Sequence, residues 1–77
     1  MKVKALTCRD PDFLKQTYKY DHIIDLINSD MEVKKGEKYI KYDGHWRVYK
    51  MGFDRTSRAF GQYKTLFGAV YKCRVID

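Results

Sequence analysis

The run KYIKYDGHWRVYKM, residues 38–51, limits the possible folds more than any other part of the chain. Two segments rich in tyrosine, isoleucine and valine flank Asp43-Gly44, a dipeptide that accepts the positive φ angles of a tight hairpin turn. The pattern predicts a β-hairpin. A two-residue turn places Tyr42 opposite His45, Ile40 opposite Arg47 and Lys38 opposite Tyr49 on one face. It pairs Lys41 with Trp46 and Tyr39 with Val48 on the other. An isolated hairpin is marginal in water, so further elements must cover one face.

Residues 66–76 supply the first cover. Leu66, Ala69, Val70, Cys73 and Ile76 recur at helical spacing. Thr65 stands where a hydroxyl accepts from the free N–H groups of a helix start, and Lys72 and Arg74 suit its negative end. The competing strand reading aligns Tyr63, Phe67, Ala69, Tyr71, Cys73 and Val75 on one face. It needs a strand much longer than usual with Gly68 in its middle, so the helix is preferred. Phe67, Tyr71 and Val75 form a second apolar stripe, which predicts that the helix is covered on two sides, by the sheet and by an N-terminal helix. With a helix beginning after Thr65, RAFGQY (58–63) becomes a third strand, returning from the polar turn GFDRTSR (52–58).

The N-terminal part reads as a short strand in MKVKALTC and a helix over about 11–28, with Asp10 as cap, Pro11 at the first helical position and Asp12 beside it. Phe13, Thr17, Tyr20, Ile24 and Ile27 give it one apolar stripe, with a break at Tyr20-Asp21 as the weak point. Residues 29–37 are polar, with a turn at Lys35-Gly36. The expectation is a single α+β domain over 1–77. Residues 1–30 form a strand plus helix; residues 37–76 form a small antiparallel three-stranded sheet packed on a C-terminal helix. The alternative is a ferredoxin-like βαββαβ order, with 55–67 helical and 69–76 a strand.

Trp46 in strand two, Phe60-Gly61-x-Tyr63 in strand three, the cap Thr65 and Ala69 near the helix start resemble a small DNA-binding fold. It is that of the ethylene-response-factor DNA-binding domain of plants and the arm-site-binding domain of tyrosine integrases, with related modules in phage homing endonucleases. The resemblance covers about 40 residues, 37–76. Gly68 and the absence of an arginine-rich first strand depart from the family pattern. The resemblance implies a sheet inserted in the major groove of duplex DNA with the helix behind it. Trp46 and Val48 would face the helix. Arg47 and Tyr49 would face DNA, with Lys38, Ile40 and Tyr42 across the hairpin. Arg55, Arg58 and Lys64 would hold phosphates, although Arg58 alternates with Phe60 and points at the helix unless the strand bulges.

Charge is in keeping with such a partner. The chain carries 16 basic and 10 acidic residues, net +6. Residues 1–30 are neutral in sum, so the whole excess lies in 31–77, together with nine of the 12 aromatic residues. Lys41 is expected over Trp46 as a cation–π pair. The reading is a non-enzymatic nucleic-acid-binding regulator, its partner duplex DNA. The rival is a small phage-type regulator that binds a larger protein. No nucleophile–base or paired-carboxylate constellation stands out. Cys8, Cys73, His22 and His45 lack metal-ligand spacing, so neither metal nor cofactor is expected, and the cysteines read as buried thiols of a cytoplasmic protein. No signal peptide and no membrane-spanning run is visible, and the chain reads as complete and soluble.

Overall fold

The computed structural model describes residues 2–7 and 20–76. In chain order the elements are β1 (Lys2–Lys4), β2 (Leu6–Thr7), α1 (Tyr20–Asn28), β3 (Asp30–Glu32), β4 (Lys38–Tyr42), β5 (Trp46–Met51), β6 (Ser57–Tyr63) and α2 (Leu66–Val75). This is the expected α+β class, with an antiparallel sheet backed by a C-terminal helix. The ferredoxin-like order is excluded, because residues 57–63 are a strand and 66–75 a helix.

The sheet runs β2-β4-β5-β6, one strand more than expected. The N-terminal segment changes partner at Ala5. Leu6 and Thr7 pair with Ile40 and Tyr39, whereas Lys2, Val3 and Lys4 pair with Glu32, Met31 and Asp30. β3 is a strand in a stretch read as polar loop. Its two acids have little strand propensity of their own, but each sits directly opposite a lysine of β1, an arrangement that stabilises a ladder.

The hairpin departs from the expected register. Tyr42 pairs with Trp46, Lys41 with Arg47, Ile40 with Val48, Tyr39 with Tyr49 and Lys38 with Lys50. The loop therefore has three residues, Asp43-Gly44-His45, with Gly44 at φ +89°. The cause is burial. A shift of one residue exchanges the faces of a strand. The observed register gathers Ile40, Tyr42, Trp46 and Val48 on one face, whereas the two-residue turn sets Ile40 against Arg47. Lys38, Ile40 and Tyr42 consequently lie on the helix side, not beside Arg47 and Tyr49.

Two apolar clusters result. The larger joins Leu6, Ile40, Trp46 and Val48 of the sheet to Ile27 of α1 and Ala69, Val70, Cys73 and Ile76 of α2, with Ile24, Leu26, Phe60 and Leu66 at its margin. Both helices thus back the same sheet face. The smaller, on the opposite face, holds Ala5, Val33, Tyr39 and Met51, with Val3 and Tyr49 packed against it. The β1–β3 ribbon contributes Val3 to it and so covers one end of the outer face.

α2 begins as the sequence indicates. Thr65 is extended (φ −125°, ψ 150°) and its hydroxyl accepts from the Gly68 N–H at 3.2 Å. Among the described residues nothing covers its second apolar stripe: Phe67, Tyr71 and Val75 are 66, 62 and 53 % exposed. α1 docks over the sheet beside α2, where Ile24, Leu26 and Ile27 join the shared core. Of the helix expected over 11–28, residues 20–28 are helical; Asp10, Pro11, Asp12, Phe13 and Thr17 lie outside the described residues, as does Cys8. Among the described residues no helix is long and apolar enough to cross a membrane.

Candidate nucleic-acid interface

The outer sheet face is built by alternation. Lys41, Arg47 and Gln62 form one row across β4, β5 and β6, and Tyr39, Tyr49 and Ala59 form the next. The Tyr39 and Tyr49 rings stack at 5.3 Å and 15°. Lys41 Nζ lies 5.9 Å from the centroid of the first and 5.5 Å from the second, so its cation rests on the tyrosine pair and not on Trp46 as expected. Lys41 and Arg47 are like charges directly opposite each other, a costly arrangement in a ladder. Asp43 offsets it: its Oδ1 lies 3.2 Å from Arg47 Nε. The pair is close but the Nε–H is not aligned for a hydrogen bond, and both side chains are substantially exposed, so the bridge contributes little to stability. It holds the guanidinium at the mouth of a shallow groove of about 280 Å³ lined by Arg47, Tyr49, Ala59, Gly61 and Gln62.

The groove depends on a bulge. Val48 pairs with Gly61 and Tyr49 with Ala59, so Phe60 is the extra residue. Gly61 sits at φ +127°, where a side chain is strained. The bulge lies beyond Arg58 and does not turn it outward. Arg58 pairs with Lys50 on the helix side, and its guanidinium lies 5.4 Å from the Phe60 ring.

The other end of the face is closed. Tyr39 is buried beneath the ribbon and its hydroxyl shares a hydrogen bond with that of Ser57. Burial pushes the Tyr39 pKa above its ordinary value, against the smaller opposing effect of the Ser57 hydrogen bond. The open part of the face is therefore Lys41, Arg47, Tyr49, Ala59 and Gln62.

The remaining residues singled out in the sequence fall elsewhere. Lys38 donates from Nζ to the Ile76 carbonyl at 2.8 Å, at the negative end of α2. Tyr42 packs its ring on Trp46 at 4.5 Å. Neither faces outward. Arg55 is exposed in the β5–β6 turn at φ +67° and lines a recess with Glu32, Lys34 and Lys35 at the ribbon end. In the same turn Asp54 accepts from the Thr56 hydroxyl and N–H, which hold its carboxyl below the usual range. Lys64 is exposed just after β6, whose last residue pairs with Trp46, so it stands at the Asp43 end of the sheet.

Of the residues on this face, sequence reasoning thus placed Arg47 and Tyr49 there and did not place Lys41 and Gln62. The signal for both was present: in the register that buries Ile40 and Tyr42, alternation puts Lys41 beside Arg47, and Gln62 follows from the bulge. Cys73 is buried, its Sγ 4.0 Å from the Tyr39 carbonyl. No metal-ligand group of three or more His, Cys, Asp or Glu exists among the described residues. Comparison with protein-family models, curated proteins and solved structures returns no match to this chain.

Proposed function

We propose that the chain is a small non-enzymatic nucleic-acid-binding regulatory protein that meets duplex DNA with the open end of its outer sheet face. The observation that carries this reading is the row Lys41–Arg47–Gln62 beside Tyr49, presented on a rigid sheet next to an open groove. Arginine and glutamine are the side chains that pair two-pronged with guanine and adenine edges, and lysine and arginine neutralise phosphates. Because the ribbon occupies the Tyr39 end, the duplex meets the Lys41–Arg47–Gln62 end of β4, β5 and β6 and the Asp43–His45 loop. A major groove of about 12 Å admits a β-ribbon. Lys64 at the same end is placed to hold a phosphate.

A competition titration with duplex DNA, single-stranded DNA and RNA tests this. Duplex DNA is expected to bind tightest. Equal or absent binding to all three sinks the proposal.

The exposed Phe67, Tyr71 and Val75 favour a second reading, a regulator that docks on a larger protein through α2. Binding to such a partner would be insensitive to Arg47→Ala and abolished by Tyr71→Ala.

A further inference from the structure

On the helix-side face, β4, β5 and β6 bring three cations into a single row. Lys38 is directly opposite Lys50, and Lys50 directly opposite Arg58. Like charges in register weaken a ladder. On the outer face the Lys41–Arg47 pair is offset by Asp43. In this row Lys38 is satisfied by the Ile76 carbonyl at the end of α2. Lys50 and Arg58 have no carboxylate partner among the described residues. Protection of an exposed sheet edge accounts for a cation on β6, which is an edge strand. It does not account for Lys50 on central β5.

The two cations flank a cavity of about 260 Å³ lined by Lys50, Met51, Gly52, Phe53, Arg58 and Phe60. Its walls are aromatic. Phe60 lies under the Arg58 guanidinium. Phe53 is 78 % exposed, and its ring stands over Gly36, where an added Cβ would come within 3.3 Å of it. Two neighbouring cations and two flat apolar rings lining one cavity match an anion carried on a flat ring.

We propose that this cavity is a nucleotide site, in which Lys50 and Arg58 hold the phosphate and Phe53 and Phe60 contact the base. The ligand is a free mononucleotide or a nucleotide at the end of a strand; the chemistry recognised is the same. The site lies on the opposite face from Arg47 and does not depend on the duplex reading.

The test follows backbone amide resonances of the full chain during titration with inorganic phosphate, AMP and a short single-stranded DNA. AMP is expected to shift Gly52, Phe53, Arg58 and Phe60, and to bind more tightly than phosphate. Lys50→Gln and Arg58→Gln are each expected to weaken AMP about tenfold, the loss of one charge-assisted hydrogen bond. Lys50→Gln should not lower the unfolding midpoint, because it relieves like-charge pairs with Lys38 and Arg58. Arg47→Ala should leave these shifts intact, which separates this site from the outer face. Tighter binding of AMP than of DNA assigns the free nucleotide, and the reverse order assigns a strand end. The proposal is overturned if no probe shifts these amides, if the shifts survive undiminished in both glutamine variants, or if Lys50→Gln is destabilised.

Discussion

Gly61 shows how much one residue's backbone decides. At φ +127° it allows the bulge that brings Gln62 to the outer face opposite Arg47, beside the groove that Gly61 helps to line. Gly61→Ala is expected to cost about 1–3 kcal/mol of strain, read as a lowered denaturation midpoint. A variant of unchanged stability would show that the bulge is held by its neighbours rather than by glycine. Tyr39 sets an alkaline limit. Its folded pKa lies above the unfolded value of 10.0, so the folded chain holds the phenolic proton more tightly. Stability should therefore be flat with respect to this group below pH 10.0 and fall as pH rises through the folded pKa. In Tyr39→Phe that alkaline loss should shrink, measured as midpoint against pH; an identical pH profile would place the ionising group elsewhere.

Elements differ in how far the sequence announced them, and for physical reasons. α2 was legible because three independent signals agreed: a helical apolar stripe, a capping threonine and basic residues in the last turn. Thr65→Ala should cost about 1 kcal/mol by removing the acceptor for the Gly68 N–H. Ala69→Asp should abolish folding, since position 69 is wholly buried between helix and sheet. A folded Ala69→Asp protein by circular dichroism would contradict the packing. The hairpin was legible as an element but not in register, because Asp-Gly serves both two- and three-residue loops, and only the demand to bury Ile40 and Tyr42 together selects one. β3 was illegible: Asp30-Met31-Glu32 becomes a strand through the lysines of β1, a pairing between residues far apart in sequence. The outer site was half legible for the same reason. Arg47 and Tyr49 follow from alternation within one strand, whereas Lys41 and Gln62 depend on register.

At the scale of the whole molecule, the fold separates its surfaces. Among the described residues, two helices cover one side of the sheet, a small ribbon covers one end of the other, and the rest of that outer face is open at Lys41, Arg47, Tyr49 and Gln62. The positive excess of the chain lies wholly in residues 31–77, which build β4, β5, β6 and α2. A field of that sign raises the rate of encounter with any polyanion, and in the proposed complex the open face would set the orientation. The uncovered stripe on α2 lies on the far side from that face, so a protein contact there is compatible with DNA at the sheet.

The most direct measurement is duplex DNA affinity at about 50 and about 200 mM salt for the native chain and for Arg47→Ala; with about three phosphate contacts the native affinity should fall roughly 40-fold between them. Arg47→Ala should bind more weakly at both concentrations, with a shallower salt slope and an unchanged unfolding midpoint. Affinity that is absent, independent of salt, or unaltered by Arg47→Ala would contradict the assignment of the outer sheet face.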